Sequence, residues 1–247
     1  MIDSLGLFAF AALAAVFAGI SKGGFGSGAA FASSALLAIV LPPAQALGLM
    51  LPLLMLIDVA TLRPYWRKWS VADARVLLIG AVPGVALGAG LFTVANDDVL
   101  RLLIGAVSLG FVAWQLWPRR GRPRKAMPEW VGFVAGAVGG FTSFVSHAGG
   151  PPVAVYLLSR GVSKTAYQAT TVLIFWVINI AKAVPYAFLG VFTLQTLWAD
   201  VLLAPFALLG AWIGVKAHFA IPDRVFFGLT YLLLTLTGSK LIWDALS

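Results

Sequence analysis

Cysteine is absent, histidine occurs twice, and only 11% of the 247 residues carry a charge. Without cysteine there are no disulfides, no thiolate chemistry and no cysteine-built metal site. Two isolated histidines, His147 and His218, offer no metal-ligand spacing, so neither a metal nor a cofactor is expected. No Gly-rich loop ending in Gly-Lys-Ser/Thr is present, which argues against a primary pump acting alone. Nor do nucleophile, base and carboxylate cluster anywhere in the chain, so it does not read as an enzyme.

What fills the chain instead is apolar. Hydrophobic residues make up 61% of it, with a mean hydropathy of +0.96. Soluble domains seldom approach this composition. Apolar runs recur from end to end, which argues against a secreted protein with one leader. The reading is an all-α polytopic membrane protein with eight to ten membrane segments.

Seventeen Lys and Arg against nine Asp and Glu give a net charge of +8. In a soluble protein this excess would suggest nucleic acid. Here the positives gather in short loops with aromatics beside them, at Arg63–Arg75 and Arg119–Lys125, which is the signature of membrane topology and lipid contact. No nucleic-acid partner is expected.

Two glycine-rich breaks interrupt the apolar pattern. One is Gly19–Gly28, with glycine at 19, 23, 24, 26 and 28 around Lys22. The other is Ser146–Pro152, with His147 beside Gly149 and Gly150. Glycine at this density serves either close helix packing or a broken helix whose backbone faces a site. Around the breaks the two halves match at a nearly constant offset. Gly23-Gly24 corresponds to Gly149-Gly150, Gln45 to Gln168, Asp58 to Asn179, Pro64 to Pro185, Gly84 and Gly88 to Gly210 and Gly214, and Gly105 to Gly228. Together these matches indicate an internal duplication. The first repeat covers 1–120, with a broken or re-entrant hairpin over 5–41 and helices near 44–62, 76–92 and 99–117. The second covers 121–247, with a hairpin over 130–159 and helices near 165–184, 196–215 and 222–236. Each hairpin is either re-entrant or a pair of short crossings.

Loop charge sets the expected orientation. If each hairpin makes no net crossing, all Lys and Arg except Lys22, Arg101, Lys182 and Lys240 fall on the inner side. Four full crossings per half would reverse the bias in the second half. The expectation is therefore a pair of inverted repeats with both termini outside, the arrangement that builds alternating access around a midplane site.

The residues singled out for that site are Lys22, Gly23, Gly24, Ser27, Gln45, Ser143, Ser146, His147, Gly149, Gly150, Gln168 and Thr171. A charge inside a membrane segment is costly and usually functional. Hydroxyls and free backbone N–H groups at helix starts suit an anion. For Lys22 the competing expectation is a side chain that snorkels to the interface. Asp58, Asn179 and Lys182 form a further polar group for coupling or gating, with Asn179, Lys182 and Tyr186 on one helical face. Asp58 could equally serve as a structural partner of a base near Arg63.

In its length, duplicated halves and glycine motifs, the chain resembles the TauE/SafE family of sulfite exporters and sulfonate permeases. The motifs are Gly-Gly-Phe-Gly-Ser-Gly at 23–28 and Gly139–Pro152, which ends in His-Ala-Gly-Gly-Pro-Pro. Gln168 and Thr170-Thr171 also look like the family's pattern. The resemblance implies a bacterial inner-membrane secondary transporter that exports sulfite or a short organosulfonate such as sulfoacetate. It implies a small anionic substrate as partner and leaves a homodimer open. Phe144-Val145 stand where the family's pattern has serine or glycine. The competing readings are a passive anion channel and a permease for a different small organic anion.

Overall fold

The computed structural model describes residues 4–25, 30–117, 126–217 and 223–247, and every regular element among them is helical. Ser27, the basic run 119–125 and His218 lie outside the described residues.

In the first half, α1 (Leu5–Ile20) continues into a wider π-helical segment (Ser21–Phe25). It is followed by α2 (Phe31–Val40), α3 (Pro43–Leu62), α4 (Val71–Phe92) and α5 (Asp97–Leu116). In the second half come α6 (Glu129–Ser146), α7 (Gly150–Ser159), α8 (Lys164–Phe188), α9 (Leu194–Ala217) and α10 (Asp223–Leu246). Among the described residues, six segments, 5–25, 43–62, 71–92, 97–116, 164–188 and 194–217, are long and apolar enough to cross a membrane. The chain is a multi-pass membrane protein.

Local chemistry explains the helix starts. Ser4, Asn96 and Ser163 each accept a hydrogen bond from the backbone N–H three residues on, which satisfies an otherwise orphaned donor. Asp97 and Asp98 in the first turn of α5 complement its dipole. Prolines open α3 and α7, where no N–H is needed. Pro185 does not end α8, which runs on to Phe188. In a membrane, neighbouring helices satisfy the carbonyl that a proline frees. Likewise α10 continues through 241–246 as one helix.

Two helices are half-length. At about 1.5 Å per residue, the ten residues of α2 and of α7 each span about 15 Å, half a hydrocarbon core of about 30 Å. The two ends of the α6–α7 hairpin lie together. Met127 N donates to Ser159 Oγ at 3.3 Å and Arg160 Nη1 to Met127 O at 3.3 Å. The hairpin therefore returns to the face it left. Arg160 Nε also meets Asp73 Oδ1 at 3.0 Å, and Ser70 N donates to Thr170 Oγ1 at 2.9 Å. The starts of α4, α6 and α8 and the end of α7 thus share one face.

Glycine brings the helices into backbone contact across the halves. A Cβ on Gly19 would sit 2.5 Å from Ala207 O and from Ala211 N, and one on Gly23 2.6 Å from Ala211 O. From the other side, Gly210 abuts Val16 and Gly214 abuts Ile20. Between α4 and α6, Gly80 abuts Phe133, Gly84 abuts Ala137, and Gly140 lies against Ala81. In both pairs residue numbers rise together, so α1 runs parallel to α9 and α4 parallel to α6. Across α5 and α10 they run oppositely: Gly105 meets Ile242, while Phe111 meets the Tyr231 ring edge-to-face, centroids 6.0 Å apart. They also run oppositely across α3 and α8, where Gly48 meets Val191 and Asp58 meets Asn179.

Candidate functional site

The polar interior lies along α3 and α8 and collects the two breaks. In the first break the helix widens at Ser21–Phe25, and all five residues are buried. Such π turns redirect a side chain without ending the helix. Lys22 is 2% exposed, so it does not snorkel to an interface. Its Nζ lies 2.6 Å from Asp58 Oδ1 and 3.4 Å from Leu54 O. Asn179 Nδ2 donates to the other carboxylate oxygen of Asp58 at 2.8 Å. Asp58 thus finds its base across the first repeat, at Lys22 and not near Arg63.

In the second break α6 stops at His147, whose φ of 57° is left-handed. That conformation is uncommon outside glycine and is held here by its surroundings. His147 Nε2 lies 3.1 Å from Leu47 O, and its Nδ1 lies 2.8 Å from Lys182 Nζ. A carbonyl only accepts, so Nε2 carries the proton and Nδ1 presents its lone pair to the lysine. These partners assign the neutral tautomer. Lys182 is fully buried; its Nζ also donates to Ser143 O at 2.8 Å and to Ser143 Oγ at 3.1 Å. Lys182 and Asn179 are one turn apart on α8, so the two break networks are neighbours along one helix face. Tyr186, on the same face, donates from its hydroxyl to Phe144 O.

Cross-links tie the breaks to the helices beside them. Gln168 Nε2 donates to Lys22 O at 2.6 Å, and Thr171 Oγ1 to Gln168 O at 2.9 Å. Ser146 Oγ donates back to Thr142 O at 2.8 Å, which is ordinary intrahelical satisfaction. Gly149 is walled by Gly139 O at 2.6 Å and the Phe175 ring at 2.7 Å from any added Cβ, and Gly150 opens α7. Gly23 and Gly24 seat against α9. Gln45 is half-buried at the start of α3, and no hydrogen bond joins it to this network.

Of the residues singled out from the sequence, the structure joins Lys22, Asp58, Asn179, Lys182, His147, Ser143, Gln168 and Thr171 in one buried region. Other buried polar groups were not foreseen. Tyr65 donates its hydroxyl to Gly23 O at 2.8 Å, and burial pushes its phenol up to about 12, so it keeps its proton at physiological pH. Ser33 and Ser34 are fully buried in the first turn of α2, and neither hydroxyl has a hydrogen-bond partner among the described residues. They are the only polar side chains of α2, a signal that an apolar ten-residue segment does carry.

What the arrangement offers chemically is two buried lysine amines, the Asp58 carboxyl between Lys22 and Asn179, and two half-helices that begin inside the protein. A model of the protein family described as sulfite exporter TauE/SafE matches residues 11–241. Searches of curated proteins and of solved structures each return no match.

Proposed function

We propose, because this chain belongs to the sulfite exporter TauE/SafE family, that it is a secondary transporter of small sulfur-containing anions. Sulfite or a short organosulfonate is the substrate, and export across the bacterial inner membrane is the direction. One observation carries the reading. When both are protonated, Lys22 and Lys182 bring two positive charges into a buried network whose one acidic side chain is Asp58. An uncompensated charge in a low-dielectric interior is costly. A bound monoanion completes the balance.

The transport route follows from two inverted repeats, 1–120 and 121–247, working by alternating access. The residue order across the helix contacts supports this reading. Successive long helices alternate in direction, and the antiparallel α5–α10 and α3–α8 pairs then set the halves opposite to each other. The parallel α1–α9 and α4–α6 pairs agree with the same assignment. The face that carries Arg63–Arg75 and Arg160–Lys164 is cytoplasmic by its charge, which puts both termini outside. Export of an anion from a negative interior is favoured by the membrane potential itself.

Purified protein in liposomes tests this directly. Sulfite or sulfoacetate efflux should saturate with concentration, and Lys182→Met should abolish it while the variant stays folded. Flux that rises linearly with concentration and follows voltage alone would favour a passive pore. Wild-type flux of these anions in Lys182→Met would overturn the charge argument.

A further inference from the structure

We propose that the first turn of α2 holds the transported anion, with the Ser33 and Ser34 hydroxyls as its direct donors. The proposal rests on the anion-transport reading and adds the atoms that touch the substrate. They are not Lys22 or His147, whose polar groups are engaged elsewhere. Lys22 Nζ is taken by Asp58 and Leu54 O, both His147 nitrogens have partners, and Lys182 Nζ has three.

Ser33 and Ser34 behave differently from four other buried serine and threonine hydroxyls of this protein. Thr61, Ser108, Thr170 and Thr237 each donate to the carbonyl four residues back, at 2.8, 2.7, 2.6 and 2.8 Å. That is how a helix in an apolar medium satisfies a hydroxyl. Ser33 and Ser34 have 0% exposure and no hydrogen-bond partner among the described residues. A buried hydroxyl without a partner is costly, so two in succession call for a ligand.

Their position points to an anion. Cα–Cβ bonds tilt toward the N-terminus of a helix, so first-turn side chains lean toward its first N–H groups, of which Ser33 N is met by Ala30 O at 3.2 Å. Ala30, at the N-cap, supplies no side chain that could satisfy those groups. The positive end of the dipole adds to them. Because α2 is half-length and ends beside the start of α3, its first turn lies at mid-depth. Ala148, next to His147 and Gly149, belongs to the same buried cluster as Phe31, Ala32 and Ala35. α2 also packs against α6, the helix that ends at the second break. Backbone N–H groups plus two adjacent hydroxyls suit the several oxygens of a sulfite or sulfonate group.

Thermal melting in detergent, with and without sulfite, sulfoacetate or thiosulfate, separates this from simple packing. Without ligand, Ser33→Ala and Ser34→Ala should melt at or above the wild-type temperature, because each removes an unsatisfied buried hydroxyl. With ligand, wild type should gain stability by mass action. Each variant should need about tenfold more anion for the same gain, the loss of one charge-assisted hydrogen bond. Equal anion affinity in wild type and both variants overturns the assignment while leaving anion transport standing. Wild type that responds to none of the three anions overturns both.

Discussion

Lys22 and Asp58 show how a buried charge pair behaves. Their 2.6 Å contact is closed to solvent, with side chains 3% and 0% exposed. Removing one partner strands the other charge, which costs about 3–5 kcal/mol, whereas replacing both with apolar groups is often neutral or stabilising. Lys22→Met alone should therefore melt well below wild type in detergent, and Lys22→Met with Asp58→Leu should recover most of the loss. A double variant no more stable than the single one would deny the pairing. Both residues stood out in the sequence as charges in apolar runs. That they face each other was not legible, because a π segment and a long lysine stem decide where the ammonium ends. The match of Asp58 with Asn179 was visible as a repeat correspondence, and it is also a contact, with the amide on the carboxylate at 2.8 Å. In Ser33-Ser34 the two letters were plain, but their meaning depends on a hydrogen bond that is absent, which only coordinates reveal.

Among the elements, glycine spacing carried much of the fold. Gly80, Gly84 and Gly88 stand four residues apart, a spacing that marks one close-packing face of a helix. The partner is α6, whose Phe133 and Ala137 carbonyls lie against Gly80 and Gly84, while Gly88 faces the Phe144 ring. Gly84→Val should therefore force α4 off α6 and lower the yield of folded protein on size-exclusion chromatography. Gly110 lies mid-helix in α5 with nothing within 4 Å of an added Cβ. Gly110→Ala should leave the yield intact and raise stability by up to about 1 kcal/mol, the helix-propensity gain. Equal outcomes for the two variants would mean that the glycines serve flexibility and not contact. Helix ends were less legible. Pro185 read as a stop because proline ends helices in water, yet Tyr186 is fully buried and bonded to Phe144 O beyond it, and that packing carries α8 onward.

For the whole molecule, the face joining 70–73, 127 and 159–170 is tied across the halves by Arg160 on Asp73 and by Ser70 on Thr170. Ser70 Oγ also donates to Asp73 at 2.6 Å, fixing the carboxylate that holds the arginine. Breaking this link should loosen that end of the molecule more than it lowers overall stability, because Arg160 is partly exposed. The chain has no cysteine, so a single Ala169→Cys reporter is clean. Arg160→Gln should speed its modification by a membrane-impermeant thiol reagent severalfold with little change in melting temperature. Unchanged labelling would mean that the ion pair does not hold this face closed. Basic residues near 63–75 and 160–164 placed these loops on one side from charge alone, and the Arg160–Asp73 contact places them together. Which helix of one half embraces which helix of the other was not legible, since parallel packing between distant segments leaves no mark in local periodicity.

That embrace sets a timetable. Gly19 and Gly23 seat against Ala211 and its neighbours, a stretch synthesised roughly 190 residues after them. At about 5–20 residues per second, α1 waits on the order of ten to forty seconds for α9. Over that interval its glycine groove faces lipid or a borrowed neighbour, while α4 and α6, closer in the chain, have already met. The α1–α9 contact can therefore close only after the α4–α6 contact has had its chance to form.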